Sequence, residues 1–324
     1  MNNELNAIYD KTAKIMQAKK YRFTITKSIG IILWQLTFST ISIYLSFSDN
    51  IVIWISGQIL LSINMLQWFF LMHELAHQSL FPNEKVNAII GHVASLFCLI
   101  PFFPWDYIHQ SHHKWTGWRE FDPTIPDITF EELKPHQISI INFCWKFWIP
   151  IFAINYTIQT FYSLNKLNKL YPKANQKINN VFSISFIVIV YLTAAIVLGF
   201  LFLKIWLLAF FIFVSISDPM LLSQHTHLDY NDINTDQIKP VKFIEQPLYT
   251  RSVRYPFFIE KYLFYFSSRH GLHHQFPWVP FYYLNQVADT EENTIFWTDW
   301  VRVAKSIPAH KLIFQSFKDT GIKL

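Results

Sequence analysis

Residues 51–77 read IVIWISGQILLSINMLQWFFLMHELAH, and this stretch decides the fold. Ile51 to Met72 carries no charged side chain. It is long enough to cross a bilayer core, which takes about 20 apolar residues as a helix. The run then ends on His73-Glu74-Leu75-Ala76-His77. Histidines four apart share one face of a helix and can chelate one ion. A membrane helix that finishes in a chelating pair places chemistry at the edge of the bilayer.

Working outward, only Ser48, Asp49 and Asn50 separate this span from an earlier apolar run, Thr26 to Phe47. Two later runs, Val181 to Leu203 and Ile205 to Leu222, are divided around Lys204. The composition agrees: 52% of the 324 residues are hydrophobic and 15% are charged, against about 25% charged in soluble domains. The expected fold class is an all-α integral membrane protein, with two transmembrane helical hairpins making about four spans. Val86 to Phe103 and Ile138 to Phe161 are also apolar, but Pro, Trp, Lys and Asn interrupt or flank them. They are read as interfacial or re-entrant helices, six spans being the alternative.

Charge orients the hairpins. Of the 27 Lys and Arg residues, only Lys204 falls at a hairpin turn. The others lie in the N-terminal arm and its junction with the first run at Lys27, in the central segment or in the C-terminal segment. By the positive-inside rule those three regions, and both termini, are expected on the cytoplasmic side. The polar N-terminus shows no early apolar core or small-residue cleavage site, so no signal peptide is read. Cys98 and Cys144 form no CxxC pattern and indicate neither a disulfide framework nor a zinc knuckle.

Ten of the 13 histidines fall in four short windows. These are His73/His77, then His109-Gln110-Ser111-His112-His113, then Gln224-His225-Thr226-His227, and last His270-Gly271-Leu272-His273-His274. In HxxHH the first and fourth positions are neighbours on a helix, and the fifth is offset by about 100°. One such turn can therefore feed two metals. Topology brings all four windows to the expected cytoplasmic face, as a histidine-rich cap. His92, His136 and His310 stand alone and are read as structural. Eight imidazoles from the three boxes, with His225 as a ninth, exceed the four ligands of one tetrahedral zinc and divide between two metals. Imidazole suits iron, zinc, copper and nickel, so spacing alone does not choose the ion. His73-Glu74-Leu75-Ala76-His77 is also HExxH, the zinc-protease signature with Glu74 as general base. That reading leaves the two HxxHH boxes without a role. A metal carrier or transporter predicts ionisable residues along a transmembrane path, whereas here the histidines sit at one end and Asp218 is the only acid inside a span.

These boxes, in this order around a second hairpin, resemble the membrane fatty acid desaturase and hydroxylase superfamily. The likeness runs from about Leu71 to Gln286. It includes HELAHQSLFP at 73–82, Lys114-Trp115-Thr116-Gly117 followed by Asp122-Pro123, the QHTH phrase at 224–227, and Pro277, Pro280, Tyr282, Tyr283 and Leu284 after the last box. The resemblance implies two iron ions, dioxygen as co-substrate and removal of two hydrogens from an acyl chain. It makes His73, His77, His109, His112, His113, His270, His273 and His274 the iron ligands, with His225 as the ninth and no catalytic side chain beyond the metal ligands. His227, Gln224, Glu74 and Asp218 are candidates to bind the metal or to orient its ligands. No HPGG haem phrase and no GxGxxG occurs, so an external electron donor, a ferredoxin or b-type cytochrome, is implied. Acyl-lipid, acyl-CoA and acyl-carrier-protein substrates are all compatible, as are hydroxylase, ketolase and acetylenase activities. Membrane lipids are expected partners and nucleic acid is not. The whole of 1–324 reads as one desaturase-like domain, with 1–25 as the arm and 223–324 completing the metal site.

Asp218 lies inside the fourth span, where an unpaired carboxylate is costly. It stands two turns before His225, about 10 Å along the axis. It is expected either to orient a histidine ligand or to cap a new helix beginning at Pro219.

The charge asymmetry carries a test of sidedness. Cysteines introduced at Asp49 and at Glu291 should be labelled by impermeant reagents from opposite faces of the membrane. Labelling of both from one face contradicts the four-span orientation.

Overall fold

The computed structural model describes residues 15–324 apart from 235 and 288–292. The first 14 residues of the arm, and Glu291, lie outside the described residues. The chain is a predominantly helical integral membrane protein. Among the described residues, four helices are long and apolar enough to cross a bilayer: α1 (Ile25–Ser46), α2 (Ile51–Ala76), α8 (Ala174–Leu198) and α9 (Phe200–His225). Between them come α3 (Glu84–Cys98), α4 (Phe102–Trp115), α5 (Pro135–Lys146), α6 (Ile151–Phe161) and α7 (Leu164–Leu170). After α9 follow a 3-10 turn (Phe243–Tyr249), β1 (Ser252–Arg254), α10 (Phe257–Tyr262), α11 (His270–Gln275), α12 (Phe281–Leu284), β2 (Thr294–Phe296), α13 (Trp297–Ser306), α14 (Ala309–Phe314) and α15 (Phe317–Thr320).

The chain divides into two compact units. A membrane unit comprises Thr24–His109 and Trp148–Pro219. A histidine-rich unit comprises the described residues of 15–23, Gln110–Phe147 and Met220–Leu324. The division cuts α4 after His109 and α9 after Pro219, so each helix contributes to both.

Within the membrane unit, α1 is polar on the inside. Its buried residues are Ser28, Gln35, Ser39, Ser42 and Ser46, whereas Leu33 and Trp34 are exposed. Lipid is as apolar as leucine, so outward leucines cost nothing, and association relies on close packing and hydrogen bonds. Those bonds are present. Gln35 Nε2 donates to the Asn64 carbonyl at 3.1 Å, Ser39 Oγ to Asn64 Oδ1 at 2.9 Å, and Trp68 Nε1 to Ser39 Oγ at 2.9 Å. Gly57 permits the close approach, because a Cβ there would sit 2.7 Å from the Ser46 backbone nitrogen.

The second hairpin turns five residues earlier than Lys204 suggests. Gly199, at φ 54°, separates α8 from α9, a left-handed conformation that glycine adopts without steric cost. Lys204 is helical and reaches back to the other hairpin turn, with Nζ 2.7 Å from Asp49 Oδ1 and 3.2 Å from the Phe47 carbonyl. Trp54 Nε1 donates to the Lys204 carbonyl at 3.0 Å. Both turns therefore face one side, as expected, but the lysine is a tie between the hairpins and not the loop. Polar Ala174–Asn180 is also helical, which lengthens the third span towards its N-terminus.

Neither of the two ambiguous apolar stretches is one helix. The first bends by 100° between α3 and α4, where Leu99 is left-handed and Pro101 cannot continue the helix. The second breaks between α5 and α6, at left-handed Trp148 and at Pro150.

In the histidine-rich unit, β1 and β2 pair in parallel over three residues each, Ser252 opposite Thr294. Trp145 of α5 meets Trp300 of α13 edge to face at 6.2 Å, and Lys305 Nζ lies 3.8 Å from the Trp145 ring centre.

Candidate metal centre

Helix α4 carries His109, His112 and His113 within two turns, the first in the membrane unit and the other two in the histidine-rich unit. In the histidine-rich unit, His112, His225, His270 and His274 form a quartet whose ligand nitrogens all lie within 4.8 Å of one another. His270 and His274 occupy one face of α11 by their four-residue spacing, and His225 ends α9. His270 Nε2 stands 2.6 Å from His225 Nε2 and 3.1 Å from His274 Nε2.

Hydrogen bonds at the far side of two rings decide what faces inward. His112 Nδ1 lies 2.6 Å from Asp122 Oδ2, while Asp122 Oδ1 accepts from the Thr124 backbone and hydroxyl. His274 Nδ1 lies 2.9 Å from Gln246 Oε1. The Gln246 amide is oriented by donation from Nε2 to the His113 and Val241 carbonyls, at 2.6 and 3.2 Å. An oxygen acceptor at Nδ1 places the proton there and leaves the lone pair on Nε2. His112 and His274 therefore turn nitrogen lone pairs into the quartet, where a shared cation is their natural partner. Burial, and then the neighbouring imidazoles of His113, His270, His112 and His225, hold His274 well below the usual imidazole range. That direction favours the neutral ring, the form a metal ligand needs. The donor set fits a transition-metal ion.

The same unit holds a pair, His113 Nε2 and His273 Nε2, 3.1 Å apart. The membrane unit holds a trio. His73 and His77 come from the end of α2 and His109 from α4, with His77 Nε2 2.9 Å from His109 Nε2. Their ring centres are 4.7 to 4.9 Å apart. Trp105 stacks on His109 at 4.3 Å and 20°, which fixes that ring plane. Glu74 is buried beside the trio. Its Oε2 accepts from Ser79 Oγ at 2.6 Å and its Oε1 lies 3.4 Å from His73 Nδ1.

Of the two QHTH histidines, His225 joins the quartet and His227 turns elsewhere. His227, with φ 61°, places Nε2 2.7 Å from Thr320 Oγ1 and 3.1 Å from the Ile322 carbonyl. Gln224 offers its carbonyl to the Arg251 amide at 2.8 Å. The Arg251 guanidinium caps the same helix end through the Ser223 and Thr226 carbonyls, at 2.9 and 3.1 Å. Burial brings that side chain down to about 10. Helix α9 runs unbroken through Pro219, so Asp218 caps no new helix there. Its Oδ1 accepts from the Ala153 amide at 2.6 Å, at the third position of α6. It thus satisfies a helix N-terminus, but of a different helix. His92, read as structural, bonds the Ala88 carbonyl and Ser183, and His310 bonds Asn142.

A fatty acid desaturase family model matches residues 49–297, and the chain belongs to that family. The match runs through all four histidine windows and both units. The chain is similar to the acyl-lipid omega-3 desaturase (cytochrome b5) of the endoplasmic reticulum of Arabidopsis thaliana, at 24% identity over 67% of this chain and 58% of that one. It is also similar to the delta(12) fatty acid desaturase fat-2 of Caenorhabditis elegans, at 29% identity over 28% of this chain and 29% of that one. A third relative is the sn-1 oleoyl-lipid 12-desaturase of Picosynechococcus, at 28% identity over 24% of each chain. The aligned stretches thus span between about a quarter and three fifths of these relatives' lengths.

Asp122 and Gln246 were not among the residues singled out from sequence, though Asp122 stood in the quoted Asp-Pro phrase. Asp122→Asn should fold and insert normally but lower the affinity for ferrous iron by about 10- to 100-fold in an anaerobic titration. Wild-type affinity in that variant would show that the carboxylate does not tune His112.

Proposed function

We propose that the chain is a dioxygen-dependent di-iron desaturase that introduces a C=C bond into a long acyl chain, most simply that of an acyl lipid. The observation that carries the reading is the convergence of four imidazoles in the quartet, beside further gathered histidines in each unit. In this proposal nine histidines, His73, His77, His109, His112, His113, His225, His270, His273 and His274, hold two irons, and the quartet of the histidine-rich unit holds one of them. The metals, when bound, supply the dioxygen chemistry that removes hydrogen from an unactivated methylene. The protein's own residues do the rest. Asp122 and Gln246 keep two rings in the tautomer that faces inward, Trp105 holds the His109 plane, and Arg251 holds the helix end that bears His225.

Electrons come from a separate carrier. The Arabidopsis relative's name specifies cytochrome b5, and a sunflower relative's specifies ferredoxin; the proposal takes a carrier of one of these two classes. The Lys and Arg distribution supports a cytoplasmic active site with both termini on that side, and one functional domain built from the whole of 1–324. The protease reading is disfavoured, because both HxxHH boxes contribute to gathered histidines and Glu74 is engaged by Ser79.

Expression in a host lacking desaturases tests the reaction. Mass analysis of total lipids should show species lighter by two hydrogens, absent with the His273→Ala variant and absent when no electron carrier is supplied. Lipids that gain an oxygen instead would make the enzyme a hydroxylase, and an unchanged lipid profile with a competent carrier would overturn the reading.

A further inference from the structure

Helix α10 lies outside the four spans, in the histidine-rich unit, and its exposed face is aromatic. Phe258 is 74% exposed, and Phe257 and Tyr262 are more than half exposed. The rings form a layer: Phe257 and Phe258 are 6.2 Å apart, and Phe258 stacks on Tyr262 at 6.1 Å. Lys261 lies over Tyr262 at 4.8 Å and over Phe257 at 5.8 Å. The surface continues through Tyr255, which is parallel to Trp297 at 6.2 Å and 8°. Trp297 and Phe296 are themselves exposed.

The only acid of this helix is withdrawn from that face. Glu260 is 1% exposed, with Oε1 2.7 Å from Arg254 Nε and Oε2 2.9 Å from an Arg269 guanidinium nitrogen. The outward face of α10 therefore presents aromatic rings and one cation. That is the chemistry of the bilayer interface, where aromatic rings sit at headgroup level and lysine reaches the phosphates.

We propose that α10, with Phe296 and Trp297 beside it, is an interfacial anchor that inserts Phe257, Phe258 and Tyr262 among lipid headgroups. Two arguments select lipid over a protein partner. A six-residue helix is about 9 Å long and is far too small alone to supply the roughly 800 Å² per partner of a stable protein interface. A few aromatic side chains suffice for lipid, because the four spans already hold the chain at the membrane. The anchor has a mechanical consequence. Arg269 binds Glu260 of α10 and immediately precedes His270, so the bilayer surface fixes the level at which the last histidine box stands.

The test reads depth directly and needs neither metal nor turnover, so it is independent of the proposed reaction. Full-length Phe258→Cys protein is spin-labelled, one copy per lipid nanodisc; Cys98 and Cys144 are buried. Accessibility to dissolved oxygen is compared with accessibility to a water-soluble nickel chelate, with Lys239→Cys, at an exposed loop position, as the control. The Phe258 label should favour oxygen and the Lys239 label nickel, giving depth parameters of opposite sign. Tyr262→Cys reports the same face if Phe258→Cys fails to insert. A label at 258 or 262 as open to nickel as the control would overturn the proposal. A label shielded from both reagents would mean that protein covers the face, and would overturn it equally.

Discussion

A neutral imidazole offers one lone pair, and the bond made by its other nitrogen decides which nitrogen offers it. The candidate metal centre depends on this constraint. His112 donates outward to Asp122 and His274 to Gln246, so their inner nitrogens meet as acceptors. Gln246 does more than accept, since it donates to the His113 carbonyl and so ties α4 to the loop before β1. The same logic explains why the polypeptide around the boxes is rich in buried polar groups. Each orienting group needs its own partner: Thr124 donates to Asp122, and the His113 and Val241 carbonyls accept from Gln246.

The bilayer imposes the complementary constraint. Because lipid removes the usual reward for burying leucine, the spans associate through their polar residues. Ser39, Asn64, Gln35 and Trp68 make a continuous hydrogen-bonded seam between α1 and α2, and Gly57 lets the backbones close. Gln58 extends the pattern to α9, donating to the Ile205 carbonyl at 2.9 Å and accepting from the Ala209 amide at 2.9 Å. Rigid spans matter to the chemistry, because α2 and α9 end on His73, His77 and His225. The positions of His73 and His77 are set by how α2 packs against α1 and the membrane part of α9.

Much of this was legible in the residues. Long apolar runs identified the spans, and the i, i+3 and i, i+4 spacings identified the histidines that share a face. Three features were not legible, each for a physical reason. Asp122 and Gln246 stand 10 and 28 positions from the rings they orient, and no periodicity marks such long-range pairs. The turn at Gly199 was masked by Lys204, because a long cation can lie in a helix and still reach a neighbouring turn. The serine face of α1 carries no sign in an average hydropathy, which counts the residues that face lipid and those that face protein alike. Asp218 was seen to need a partner, and the partner proved to be the N-terminus of α6, a helix that local pattern did not delimit.

The claim on which everything else rests is that the gathered histidines hold two redox-active metals. Elemental analysis of the purified full-length protein, reconstituted with ferrous iron under anaerobic conditions, addresses it most directly. The account predicts two irons per chain, falling to one or none when His270 and His274 are both replaced by alanine. A single tightly held zinc per chain, indifferent to that replacement, would contradict it.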